Sequence, residues 1–247
     1  MVSTTGLVSY WKLDEASGTR ADSHGTNTLT DNNTVASGTG KINNAADFEF
    51  SNGLESLSHT SNTDLQTGDI DFTITAWVNL ESGPNNYNGI VTKDGAAGRD
   101  YFLVYDNVVS HFIFYCRRSA TDVKAEATTF GVPSLSTWYF IAAWHDATAD
   151  TVNIQINNGA VNSTASGGAL DSPTTIAFHI GAAAWGVGTE FDGLIDEVGF
   201  WKRVLSSQDR TDLYNAGAGL AYPFGAAAQD TPELRTGRFG MRQLLAQ

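Results

Sequence analysis

The 247-residue chain holds one cysteine, Cys116, so no disulfide can form within it. Cys116 sits in the apolar run HFIFYC and reads as a buried, inert thiol. Positive charge is scarce: 14 Lys and Arg stand against 27 Asp and Glu, and the net charge of -13 repels a phosphate backbone and excludes nucleic acid as a partner. No run is long and apolar enough to cross a bilayer as a helix, so membrane insertion is not expected. The opening MVSTTGLVSYWKLDEASG lacks a basic stretch followed by a long apolar one, and reads as a chain made without a signal peptide. Also missing are a G-x-S-x-G nucleophile elbow, a His pair at metal-ligand spacing, a dense Asp-x-Asp-x-Asn loop and a phosphate-cradling Gly loop. These absences argue against acyl transfer, zinc chemistry, a strong calcium loop and nucleotide binding.

What is present is β-forming. Only 17% of residues are charged, Gly is abundant at 25, and short alternating or apolar runs recur with turn residues between them. Strands are expected at 6–13, 45–50, 71–80, 87–93, 99–106, 108–116, 138–146, 151–157, 174–181 and 191–201, as a meander of antiparallel hairpins. In DFTITAWVNL, Phe72, Ile74, Ala76 and Val78 share one face, and Thr73, Thr75, Trp77 and Asn79 the more polar one. NNGA at 157–160 signals a tight hairpin. One short helix is expected after Ser206, with Asp209 completing a capping box and Gly217 as its stop, packed on the edge of the sandwich. The fold class is therefore all-β: an antiparallel two-sheet sandwich over 1–221, then an extended tail over 222–247. From residue 234 onward the tail carries three Arg and no acid, whereas residues 1–233 carry -16.

The segments SYWKLDEASGTRADSHG, GKINNAADFEF, DFTITAWVNL, GIVTKDG, YFLVY, TWYFIAAWHD, VNIQINNGAV and FDGLIDEVGFWKRVLSSQDRTDLYNAG run in consistent order from about residue 6 to 217. Together they resemble the LamG-like jelly-roll family of the concanavalin A-like superfamily. The resemblance implies a jelly roll of two packed sheets, a binding surface on a concave face or rim loops, and often a structural Ca2+. Similar proteins include carbohydrate- or protein-binding modules, adhesins, parts of secreted enzymes and phage-particle components.

Strand alternation places Asp196 with Leu194, Val198 and Phe200, and Glu197 with Ile195 and Trp201, so the two carboxylates point apart and cannot be a glycosidase pair. Glu190 and Asp192 imitate the catalytic strand of glucanases, but Leu194 stands at the next alternate position. No catalytic residue is assigned. Asp196, on an apolar face, either accepts hydrogen bonds or coordinates a cation; the resemblance makes Asp22 its partner in a Ca2+ site. For ligand binding, Trp185 in GAAAWGVGTEF is the candidate platform, with Tyr87, Arg117 and Arg118 flanking a groove, whereas Trp11, Trp77, Trp138, Trp144 and Trp201 match the buried framework. Two functions follow. One is a virion component, on a capsid or tail surface, that assembles as a homo-oligomer and docks on neighbouring subunits through Leu234, Arg235, Arg238, Phe239, Arg242, Leu244 and Leu245, with glycan adhesion as a task. The other is an extracellular glycan- or protein-binding module. A glycoside-acting enzyme is the third reading.

Overall fold

The computed structural model describes residues 1–96, 98–171, 174–185 and 188–225. The first strands are β1 (Leu7–Trp11), β2 (Thr30–Asn32), β3 (Ala36–Thr39), β4 (Asn44–Phe48), β5 (Ser56–His59), β6 (Phe72–Leu80), β7 (Tyr87–Gly95) and β8 (Gly98–Asp106). They are followed by β9 (His111–Arg118), β10 (Thr121–Glu126), β11 (Trp138–Asp146), β12 (Thr151–Ile156), β13 (Val161–Ala165), β14 (Phe178–Ile180), β15 (Gly193–Trp201) and one helix, α1 (Ser207–Tyr214). An eight-stranded sheet runs β13-β12-β11-β6-β15-β4-β3, with β1 also on β15; a seven-stranded sheet runs β10-β9-β8-β7-β14-β5-β2. The described ladders are antiparallel. The expected meander holds for β7 to β10 and β11 to β13; the central strands β6, β14 and β15 are instead brought together by long-range pairing. The expected strands are found within a few residues, but β2, β3, β5 and β10 were not foreseen. Their sequences TDN, ASGT, SLSH and TDVKAE are short or polar, and pairing with neighbours rather than local pattern makes them strands.

Between the sheets lies the main core, where Phe72, Ile74, Ala76 and Val78 of β6 meet Tyr101, Leu103, Phe112, Phe114 and Cys116. The other face of β6 is buried as well. Trp77 packs with Phe140, Trp144 and Trp201 beneath Leu205 and Leu213. Helix α1 thus covers the outer face of the eight-stranded sheet rather than its edge, because that face carries four large aromatics that need burial. The Ser206–Asp209 capping box is present. The helix stops at Asn215, whose left-handed backbone (φ 48°) closes it two residues before Gly217. Replacing Ser206 with Ala is expected to cost about 1 kcal/mol in denaturant unfolding. At the β12–β13 hairpin, Asn157 and Asn158 adopt the positive φ that NNGA signalled.

The first residues after 221 pack on the sandwich. Tyr222 stacks on Tyr10 with ring centroids 5.1 Å apart, and Phe224 stacks on Trp201 at 6.4 Å, so these residues belong to the layer that covers the sheet. The docking residues Leu234, Arg235, Arg238, Phe239, Arg242, Leu244 and Leu245 lie outside the described residues.

Candidate functional site

The outer face of the eight-stranded sheet is closed by α1 and the 215–224 segment, which leaves the seven-stranded sheet. An antiparallel sheet with one solvated face normally alternates apolar and polar residues. β8 and β9 break this rule: Phe102, Val104, Ile113 and Tyr115 face outward, away from the main core, and form a second apolar cluster with Ala183 and Tyr87. Arg99 lies across it, its guanidinium 4.7 Å from the Phe102 ring and 5.3 Å from that of Tyr115. Asp94 takes two hydrogen bonds from Arg99 at 3.0 Å, and Asp122 pairs with the same guanidinium at 2.7 Å. Burial pushes the Asp94 carboxyl up, and the bonds from Arg99 and Trp185 restrain it.

Trp185 is the exposed member, with 48% of its surface open. Its ring centroid lies 6.2 Å from that of Phe102, and its side chain lies beside the Asp94 carboxylate. The loop carrying it is tied to β7: Thr92 Oγ1 donates to the Ala182 carbonyl at 2.7 Å, and the Ala184 N–H to the Asp94 carbonyl at 3.1 Å. A flat aromatic ring is thereby held rigidly above an apolar face and beside charged groups, an arrangement suited to stacking on a partly apolar ring with hydroxyls at its rim.

Of the residues expected here, Trp185 and Tyr87 both pack on Phe102, and Arg117 lines a depression it shares with Arg99. Arg118 turns away, its guanidinium against Gly167 and Gly168. Sequence reasoning missed Phe102, Tyr115, Arg99 and Asp94. The signal was available: YFLVY and FIFY are runs of apolar and aromatic residues at every position, so their strands have two apolar faces and one must be outside the main core. Trp11, Trp77, Trp144 and Trp201 are buried as expected, and Trp138 is half-buried.

The Asp196–Glu197 pair corrects the alternation argument. A β-bulge interrupts β15 between Asp196, opposite Trp77, and Gly199, opposite Thr75, and Glu197 takes φ 49°. Ile195, Val198 and Phe200 face the main core, and the extra residue puts both carboxylates outside it. Asp196 Oδ2 accepts the Ile42 N–H at 2.9 Å, and Asp196 Oδ1 has no hydrogen-bond partner among the described residues. Burial first, then the neighbouring Glu197, pushes the Asp196 carboxyl up to about 8; burial raises Glu197 to about 7, held back by the Tyr10 hydroxyl. At 0% and 2% exposure they leave no room for a sugar ring. Glu190 and Asp192 are engaged as well, with Asn85 and the Gly188 N–H on the former, and Ser82 and the Phe50 N–H on the latter.

The calcium expectation fares differently for its two ligands. Asp22 accepts backbone N–H groups of Tyr10, His24, Gly25 and Asn27 at 2.8–3.0 Å. Burial would raise its carboxyl, yet the N–H bonds hold it below the usual range, as expected of an anion already satisfied by the loop it organises. Calcium takes about six to eight oxygens. Asp22 has spent its lone pairs, Asp196 hydrogen-bonds a different loop, and no group of three or more His, Cys, Asp or Glu among the described residues is placed to hold a metal. The residues do not fit a Ca2+ held by Asp22 and Asp196.

Two packed antiparallel sheets, with α1 on one outer face and an apolar cluster on the other, define a jelly-roll sandwich. Residues 52–209 match the Laminin_G_3 family, described as the concanavalin A-like lectin/glucanases superfamily, and the chain belongs to it. No curated protein matches the chain in sequence. Among solved structures it is similar to the binding domain of Paraclostridial Mosquitocidal Protein 1 (13% identity, TM-score 0.70, 87% of this chain and 53% of that one). It is also similar to Domain 4 of AbnA, a GH43 extracellular arabinanase from Geobacillus stearothermophilus in complex with arabinotriose (21%, 0.63, 83% and 97%). A third is the Trypanosoma rangeli sialidase in complex with sialic acid (16%, 0.64, 89% and 35%). The chain therefore spans about half of the toxin domain, a third of the sialidase and nearly all of the arabinanase domain. At these identities the likeness is one of fold. No described helix is long and apolar enough to cross a membrane.

Proposed function

We propose that the protein is a non-catalytic carbohydrate-binding module that acts outside the cell and holds glycans on the outer face of its seven-stranded sheet. The observation that carries this is Trp185, a half-exposed indole fixed over an apolar face by Asp94 and the 182–185 loop. Arg99, Arg117 and Asp122 around it supply hydrogen-bonding groups for sugar hydroxyls. A domain of like fold in an arabinanase, solved with arabinotriose, supports the choice of a saccharide. Catalysis finds no support at the paired carboxylates, which are buried. The alternative of a virion component, a homo-oligomer docked through 222–247, rests on residues mostly outside the described part, and no feature of the site favours it.

A glycan array followed by calorimetry tests the proposal. Trp185→Ala is expected to weaken binding at least about tenfold, as for an aromatic anchor, while Trp185→Phe keeps most of it and both variants melt like the wild type. Equal binding by Trp185→Ala and wild type would sink the proposal.

A further inference from the structure

The Trp185 loop is flanked by a depression on each side. One, of about 310 Å3, is lined by Arg99, Arg117, Asp171 and Thr174, with Ala96 at its edge. The other, of about 280 Å3, is lined by Asn32, Asn33, Ser56, His179 and Ala184. Gly95 and Ala184 touch between them: a Cβ on Gly95 would lie 3.3 Å from that of Ala184. The contact of Gly95 with Ala184 therefore stands between Ala96, which lines one depression, and the other depression, which Ala184 itself lines, one residue from Trp185.

Their polar groups are incompletely used. Arg117 donates one hydrogen bond, to the Ala120 carbonyl, and has no carboxylate partner among the described residues, because Asp171 accepts the Ser119 and Ala120 N–H groups instead. His179 Nδ1 faces the Ala177 carbonyl; burial lowers the pKa of the ring, so it is neutral at pH 7 and its Nε2 remains as a hydrogen-bonding group. Arg117 is on β9 and Asn32 on β2, with β8, β7, β14 and β5 between them, so at the usual strand spacing the surface extends roughly 24 Å across the sheet.

We infer that this surface takes an internal run of several units of a linear polysaccharide, laid across the strands, with one ring on Trp185 and neighbouring rings in the two depressions. This rests on the saccharide reading above and goes further, because a site for a single terminal sugar needs one depression rather than two on opposite sides of the platform. The unlike linings, charged on the Arg117 side and neutral on the His179 side, also give the chain a direction.

Calorimetry with arabino-, xylo- and cello-oligosaccharides of one to six units tests it. In at least one series, affinity is expected to rise about tenfold or more from two units to five and then level off. His179→Ala is expected to lower hexamer affinity by roughly fivefold to tenfold, the worth of one or two hydrogen bonds, and to leave the dimer unchanged, whereas Arg117→Gln and Trp185→Ala weaken both. Thermal unfolding of each variant controls for loss of fold. A dimer that binds as tightly as the hexamer, or a hexamer indifferent to both Arg117→Gln and His179→Ala, overturns the extended site and leaves the Trp185 platform standing. Absence of binding at every length in all three series overturns the inference together with the saccharide reading.

Discussion

Replacing Asp196 with Asn should stabilise the protein at pH 8 by several kcal/mol and change little at pH 4. The carboxyl is raised to about 8 in the folded chain by burial and by Glu197, against 3.8 for a free aspartate side chain. Between those two values the folded state keeps a proton that the unfolded chain gives up, so folding stability falls as pH rises through this window and levels off above about 8. Asn carries no proton to lose and can still accept the Ile42 N–H. At about 1.4 kcal/mol per pKa unit and about 2–4 °C per kcal/mol for a domain of this size, the variant should melt well over 5 °C above wild type at pH 8. Glu197, raised to about 7, leaves a smaller slope of the same sign in the variant. Melting curves from pH 4 to 9 for both proteins check this. A variant that is less stable at pH 8, together with a wild type that gains stability on addition of calcium, would show that Asp196 is ionised and holds a cation.

A second large effect is expected at the buried pair Lys93–Asp100. The ammonium lies 3.0 Å from Asp100 Oδ2, both side chains are fully buried, and the same ammonium donates to the Thr174 carbonyl at 2.6 Å. Burial lowers the pKa of Lys93, opposed by Asp100. Lys93→Met strands an ionised carboxylate in the interior, a defect worth about 3–5 kcal/mol. Asp100→Asn alone leaves the ammonium unpaired but keeps an acceptor for the Thr174 N–H, which bonds Asp100 Oδ1 at 2.7 Å. The double variant removes both charges and should recover most of the loss. Urea unfolding of the four proteins gives the coupling, and a double variant whose loss equals the sum of the two single losses would refute it. Because Thr174 lines the Arg117 depression, Lys93→Met should also weaken saccharide binding there.

Local chemistry was legible in the sequence, and it was right where one segment decides its own structure. The capping box at Ser206, the NNGA hairpin, the inward face of β6 and the long strands follow from periodicity and turn residues within a few positions. The candidate site was legible in part: Trp185 stands between two strand runs among small residues, and two unbroken apolar strands announced a second apolar face. That Arg99 and Asp94 complete the site was hidden, since both sit in a polar hairpin whose side chains could equally have faced solvent.

The carboxylate pair marks the limit. FDGLIDEVGFW reads as alternating, and alternation sends Asp196 and Glu197 to opposite faces; only the ladder with β6, which skips one residue between Trp77 and Thr75, shows the bulge that puts both outside the main core. Likewise, Arg117 and Arg118 are equivalent as sequence, and pairing of β9 with β10 sends one to the site and the other to Gly167 and Gly168. The sequence by itself determined the class of fold, the long strands and the exposed tryptophan, because hydrophobic period and turn chemistry are short-range properties. Which outer face α1 covers and what surrounds Trp185 were decided by the tertiary structure alone, because register and sheet order depend on partners up to more than a hundred residues away.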